Sequence, residues 1–334
     1  MDKVNCNKSS FFLFLVSVFY SILVGTGYLE FEIWGQIENY RSKYLSNGGF
    51  FLSPHILRYL VIHPVYQISS ISGLDLGLVY SFYVIFSALC ISKIWDSVRK
   101  SYLTPKPSFS FLIGIPFIVL FFINGRFIFG LLGLSILLGC VVSLEFKKFK
   151  IKHILLIIVG FFFSSVSSGM FFVGVLFTTV SIFDIYRRRP KFITLPMKVV
   201  LIVPIIFVGY FSFVFLQKNL TYFIVHTGSI LGILRHGLGF LFISDAYHRL
   251  CTPGEPGFEC SVLSIFNGEV RVVLLFTILI FLLVIFIIAG KVNILPRIAA
   301  RGLLISAFGG IFGLTTLFSF IFVTPLIFLK KRSS

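Results

Sequence analysis

Apolar residues fall in long blocks separated by short polar clusters. Phe109 to Ile123, Phe127 to Leu144, Val199 to Leu216 and Val272 to Ala289 approach or reach the ~20 residues that carry a helix across a ~30 Å hydrocarbon layer. Together with the blocks near 11–28, 76–94, 154–167, 170–186 and 302–328, they predict an all-α, polytopic integral membrane protein. It is a single transmembrane domain over 1–334, with about nine spans and additional interfacial helices on the outer face. The blocks 109–123 with 127–145, and 154–167 with 170–186, read as tight hairpins with turns at Asn124-Gly125-Arg126 and Ser167-Ser168-Gly169. No internal repeat, heptad seam or low-complexity tail interrupts this layout.

The polar clusters orient the blocks. Arg99, Lys100 and Lys106; Lys147, Lys148, Lys150 and Lys152; Arg187, Arg188, Arg189 and Lys191; and Lys291, Arg297 and Arg301 all belong on the cytoplasmic face if short basic loops stay inside. Lys3 and Lys8 place the N-terminus there too, ahead of a retained first helix that has no small-residue cleavage motif. This parity leaves two long outer loops, 29–75 and 217–271, and forbids a full crossing between 29 and 75. Ile56 to Ile71 is fairly apolar, but His55, Arg58, His63, Pro54 and Pro64 suit an interfacial or re-entrant piece. The last block is ambiguous. A single crossing puts Lys330, Lys331 and Arg332 outside, and length favours it; a hairpin broken near Gly309, Gly310 and Gly313 keeps them inside.

Composition supports this reading: 57% of the 334 residues are hydrophobic, 18% aromatic and only 12% charged. A soluble domain has roughly 25% charged residues. The net charge of +17 would fit a nucleic-acid partner, but the basic residues cluster between apolar blocks rather than along one amphipathic face. Their placement is topological, and no nucleic-acid partner is expected. No Walker sequence, strand-borne G-x-G-x-x-G, H-E-x-x-H or C-x-x-C occurs, so ATP-driven, Rossmann-type and zinc-protease functions lack their usual parts. The predicted spans hold almost no central ionisable group, which disfavours an ion-coupled transporter.

Chemistry-bearing residues gather on the predicted outer face. Arg126 sits in a turn between two apolar runs, where a guanidinium is solvated, snorkels, or pairs with an anion such as phosphate. In the second outer loop, Asp245, His248 and Arg249 can share a helical face near Arg235 and His236. Such a face would set a proton acceptor beside an anion clamp, or would equally serve an amphipathic helix at the headgroups. In the first loop, His55 and Arg58 are three apart on an aromatic and aliphatic segment, and Arg41, Glu30 and Glu32 follow the first helix. Glu32 would suit a carboxylate base or merely a solvated helix exit. Cys251 and Cys260 flank Thr-Pro-Gly-Glu-Pro-Gly-Phe-Glu and read as an outer-face disulfide.

Three stretches carry a family resemblance. They are Tyr40-Arg41-Ser42-Lys43-Tyr44 with the half-buried segment after it, Asn124-Gly125-Arg126-Phe127 opening an apolar helix that ends at Lys147-Lys148, and the serine-rich turn Phe163 to Phe171. Over roughly 40–184 the chain resembles bacterial polysaccharide polymerases of the Wzy and EpsG type, membrane glycosyltransferases of the GT-C kind. It has serines where that family often carries a polar His-Lys-Ser turn.

The resemblance implies a bacterial inner-membrane enzyme that joins undecaprenyl-diphosphate-linked oligosaccharide repeat units at the outer face. Its partners would be those lipids, the surrounding membrane lipids and a chain-length regulator. Arg41, Arg58, Arg126, Arg235 and Arg249, with His55, would hold the diphosphates. His248, His236, Asp245 or Glu32 would serve as the base, with no metal or other cofactor. A lipid-linked sugar flippase and a noncatalytic membrane protein are the alternative classes. A flippase would show inverted repeats and matched broken helices.

Overall fold

A computed structural model of the protein describes residues 18–19, 55–105, 127–189, 202–227, 298 and 329–331. Six helices make up most of these residues: α1 His55–Ser72, α2 Leu76–Tyr102, α3 Phe127–Phe146, α4 Ile151–Ser164, α5 Ser168–Arg188 and α6 Ile202–Thr227. Two three-residue strands, β1 Leu103–Pro105 and β2 Leu329–Lys331, pair antiparallel, with Thr104 opposite Lys330.

Three helices are long and apolar enough to cross a membrane, over Leu76–Trp95, Ile128–Phe146 and Gly169–Arg188. The outside of the bundle matches that solvent. Leu78, Phe82, Phe86 and Leu89 form an exposed stripe along α2, and Phe183, Ile205, Ile206 and Phe213 are each more than half exposed. Large apolar residues both inside and out are what a lipid-facing bundle presents, since its exterior is not required to meet water. The chain is a membrane protein.

Helix α3 lies at the centre. Its Phe129 stacks on Tyr83 of α2 at a centroid distance of 4.5 Å and meets Tyr80 edge-on at 5.8 Å. Further along, Trp95 Nε1 of α2 donates to Ser135 Oγ of α3 at 3.0 Å, and Ile94 lies over Gly139. Position numbers rise together along both helices, so α2 and α3 run parallel. The span expected near 109–123 lies outside the described residues.

Helix α4 crosses α3 antiparallel through a contact only glycine permits. A Cβ on Gly133 would collide with the Ser164 backbone N and come within 2.5 Å of Gly160 O. Tight approach is how membrane helices gain dispersion energy where lipid removes the hydrophobic incentive to associate. Helix α5 runs parallel to α3, with Met170 over Gly130 and Gly174 against Leu134 and Leu137. Buried hydroxyls tie the turn between α4 and α5: Ser164 Oγ donates to Phe161 O and Ser165 Oγ to Phe162 O.

Two observations bear on the expected layout. The β1–β2 pairing sets Lys330 and Lys331 beside the end of α2, whereas a single crossing over 302–328 would leave them on the face opposite Arg99 and Lys100. Strands that hydrogen-bond to each other share a face, so the single crossing gains no support from this pairing; the block 302–328 itself lies outside the described residues, and the count of nine spans is not supported. Helix α6 also continues through Gln217–Thr227, so the segment expected to loop out at 217 opens with eleven helical residues (217 through 227).

Candidate functional site

Of the residues singled out from the sequence, His55 and Arg58 fall within the structure. Glu32, Arg41, Arg126, Arg235, His236, Asp245, His248, Arg249, Cys251 and Cys260 lie outside the described residues. Arg126 directly precedes α3.

Arg58 sits on α1, between buried Leu57 and Tyr59 and one turn before Val61 and Ile62. Helix α1 and α2 form a hairpin closed at Gly73, whose φ of +68° is a left-handed conformation that glycine adopts without steric cost. Tyr83 Oη donates to Val61 O at 3.1 Å, and α1 also touches α4. Helix α1 packs alongside the bundle, against α2 and α4. Fifteen residues separate Arg58 from Gly73, about 22 Å at ~1.5 Å per residue. The guanidinium-bearing side chain is only 9% exposed. Below it, Tyr59 and His63 are joined through Oη and Nδ1 at 2.8 Å.

A second constellation, which sequence reasoning passed over, lies at the opposite end of α3. Glu145 receives Arg188 Nη2 at 3.4 Å and, through its carbonyl, Arg189 Nη1 at 2.6 Å; Asp184 also binds Arg188. These contacts pin the basic end of α5 to α3. Beside them, His153 in the first turn of α4 is fully buried. Its Nδ1 accepts the Lys150 N–H at 2.9 Å, so Nε2 carries the proton and faces Ser143 Oγ at 3.3 Å. Burial, with the ammonium of Lys152 adding to it, pushes this imidazole below its ordinary range and keeps it neutral. The signal in the sequence was a lone histidine among four lysines at a helix start. Those lysines and His153 line a cavity of about 300 Å³.

Among the described residues, no three His, Cys, Asp or Glu side chains converge as a metal set. Cys90 and Cys140 are free thiols. No family model, curated protein or solved structure matches the chain.

Proposed function

We propose that the protein is a membrane glycosyltransferase that polymerises lipid-diphosphate-linked oligosaccharide repeat units in the bacterial inner membrane. The observation that carries the reading is Arg58, a guanidinium held inside an apolar bundle on a helix that enters it. An ionisable side chain at membrane depth is costly and marks a substrate path or site more often than a structural accident. A guanidinium fork matches the oxygens of a diphosphate, the leaving group in this chemistry. In the reaction, a hydroxyl of one repeat unit attacks the anomeric carbon of another. The new glycosidic C–O bond forms as the bond to the diphosphate breaks, and a carboxylate or imidazole takes the hydroxyl proton. The outer-loop groups Asp245, His248, His236 and Glu32 are the candidates for that base. Arg126 at the start of α3 is a second clamp.

The test is the glycan ladder on lipopolysaccharide or carrier lipid in cells with the native sugar pathway. Arg58→Lys is expected to fail nearly as badly as Arg58→Ala, because lysine keeps charge and loses the fork. Removing one charge-assisted contact to the transition state costs about 3 kcal/mol, or roughly a hundredfold in rate. Collapse to single units attached to the acceptor core, at normal protein level, supports the polymerase, since those units have already crossed the membrane. A full ladder from the alanine variants of both Arg58 and Arg126 sinks it, and loss of single units as well indicates a flippase.

A further inference from the structure

The α3–α4 turn is built around a cavity with an excess of one charge. Helix α3 leaves its apolar span at Phe146, and Lys147 follows at once. Phe149 is driven back into the core, where it packs against the His153 ring at 5.7 Å. With Phe149 and His153 both turned inward, Lys147, Lys148, Lys150 and Lys152 stay exposed around the cavity. Among the described residues, its lining contains no carboxylate. Glu145, close by in sequence, is engaged by Arg188 and Arg189 instead. His153 contributes no lone pair or extra charge, since both ring nitrogens are committed to Lys150 N and Ser143. Its part is to fix the wall.

We propose that this cavity is a binding site for the phosphate group of an anionic lipid headgroup. A volume of about 300 Å³ is about ten times the ~30 Å³ share of one water, ample for a phosphoryl group with its ester arm. Its place, one residue beyond the end of a membrane-crossing segment, is the level at which phospholipid phosphates lie. Basic pockets between helices at this level hold anionic headgroups, and each nearby lysine adds to the attraction. The chemistry recognised is a phosphate monoanion or dianion, which a soluble phosphate compound would share. The site stands apart from the outer-face reaction proposed above and does not depend on it.

The full chain, purified in a neutral detergent, is titrated with phosphatidylglycerol, phosphatidylcholine or inorganic phosphate, and retained adducts are counted by native mass spectrometry. The expected result is retention of phosphatidylglycerol over phosphatidylcholine, weakened about tenfold or more in the Lys147→Gln, Lys148→Gln, Lys150→Gln, Lys152→Gln variant. A control removes four charges elsewhere: Lys291→Gln, Arg297→Gln, Arg301→Gln and Arg332→Gln. It is expected to retain the lipid as the native chain does. The four lysines are exposed, so their neutralisation leaves folding intact, and Lys148→Glu alone repeats the test with one change. Retention of inorganic phosphate with neither lipid retained supports the site and assigns it a soluble ligand. Equal retention of both lipids, or equal loss in the control, overturns the proposal.

Discussion

A single hydrogen atom in place of a methyl group decides how closely α3 and α4 approach. Gly133 faces backbone atoms of Ser164 and Gly160, which cannot move aside, whereas Gly130 faces the thioether of Met170. Gly133→Ala is therefore expected to destabilise the protein by about 1–3 kcal/mol through overpacking. Gly130→Ala is expected to be nearly neutral, because a flexible methionine can turn away and alanine favours the helix by about 0.5–1 kcal/mol. Thermal melting of both variants in detergent checks the contrast; equal losses would mean that backbone contact is not what α3 depends on. Trp95→Phe removes the donor to Ser135 and is expected to cost about 1 kcal/mol by the same measurement. The glycines and Arg58 were visible in the sequence as residue types. Their partners were not, because hydropathy reports what each segment does in lipid and says nothing about which segment lies beside it. His153 and Glu145 were hidden for the same reason: each takes its role from atoms on another turn or another helix.

At the scale of elements, the blocks expected at 76–94, 127–145, 154–167, 170–186 and 197–216 coincide with α2 to α6, since a long apolar run in lipid must satisfy its own backbone and does so as a helix. The ends shift where water takes over. Helix α2 runs on to Tyr102 past Lys93, and α6 to Thr227, beyond the apolar stretch that announced them. Helix α1 was the hardest to read, because His55, Arg58, His63 and Pro64 dilute its hydropathy while one face still packs on α2. The junction of α3 and α4 is expected to respond to acid. His153 is neutral in the fold and titrates below its ordinary 6.5, so the junction's stability is complete above that value and is lost as pH falls below it. Protonation would place a cation among Lys147, Lys150 and Lys152 and remove the acceptor from the Lys150 N–H. The protection of that amide, taken relative to the intrinsic exchange rate at each pH, is expected to fall on acidification in the native chain and to show no such step in His153→Gln. An equal acid step in both proteins would remove His153 from the account.

For the molecule as a whole, sidedness is the property most directly open to test. Single cysteines at 101 and 330, in a background without the native ones, are expected to resist a membrane-impermeant thiol reagent in intact spheroplasts, along with 149 and 189. The β1–β2 pairing requires 101 and 330 to behave alike, and labelling of 330 alone would break it. Position 46 is expected to be labelled if α1 re-enters from the outer face; protection at 46 would mean that α1 crosses fully. The parallel arrangement of α2 and α3 has a further bearing on how the protein is made. The Trp95 indole and its Ser135 acceptor are 40 residues apart in sequence, so at ribosomal rates of about 5–20 residues per second the donor waits roughly 2–8 s for its acceptor to be synthesised. A hairpin neighbour would arrive almost at once; a parallel neighbour arrives only after the intervening chain has been threaded. During that interval the Trp95 indole stands at the edge of the bilayer without Ser135, at the level where headgroups and water accommodate such rings. Order of synthesis thus sets order of packing, and α2 is in place before the helix that its indole meets.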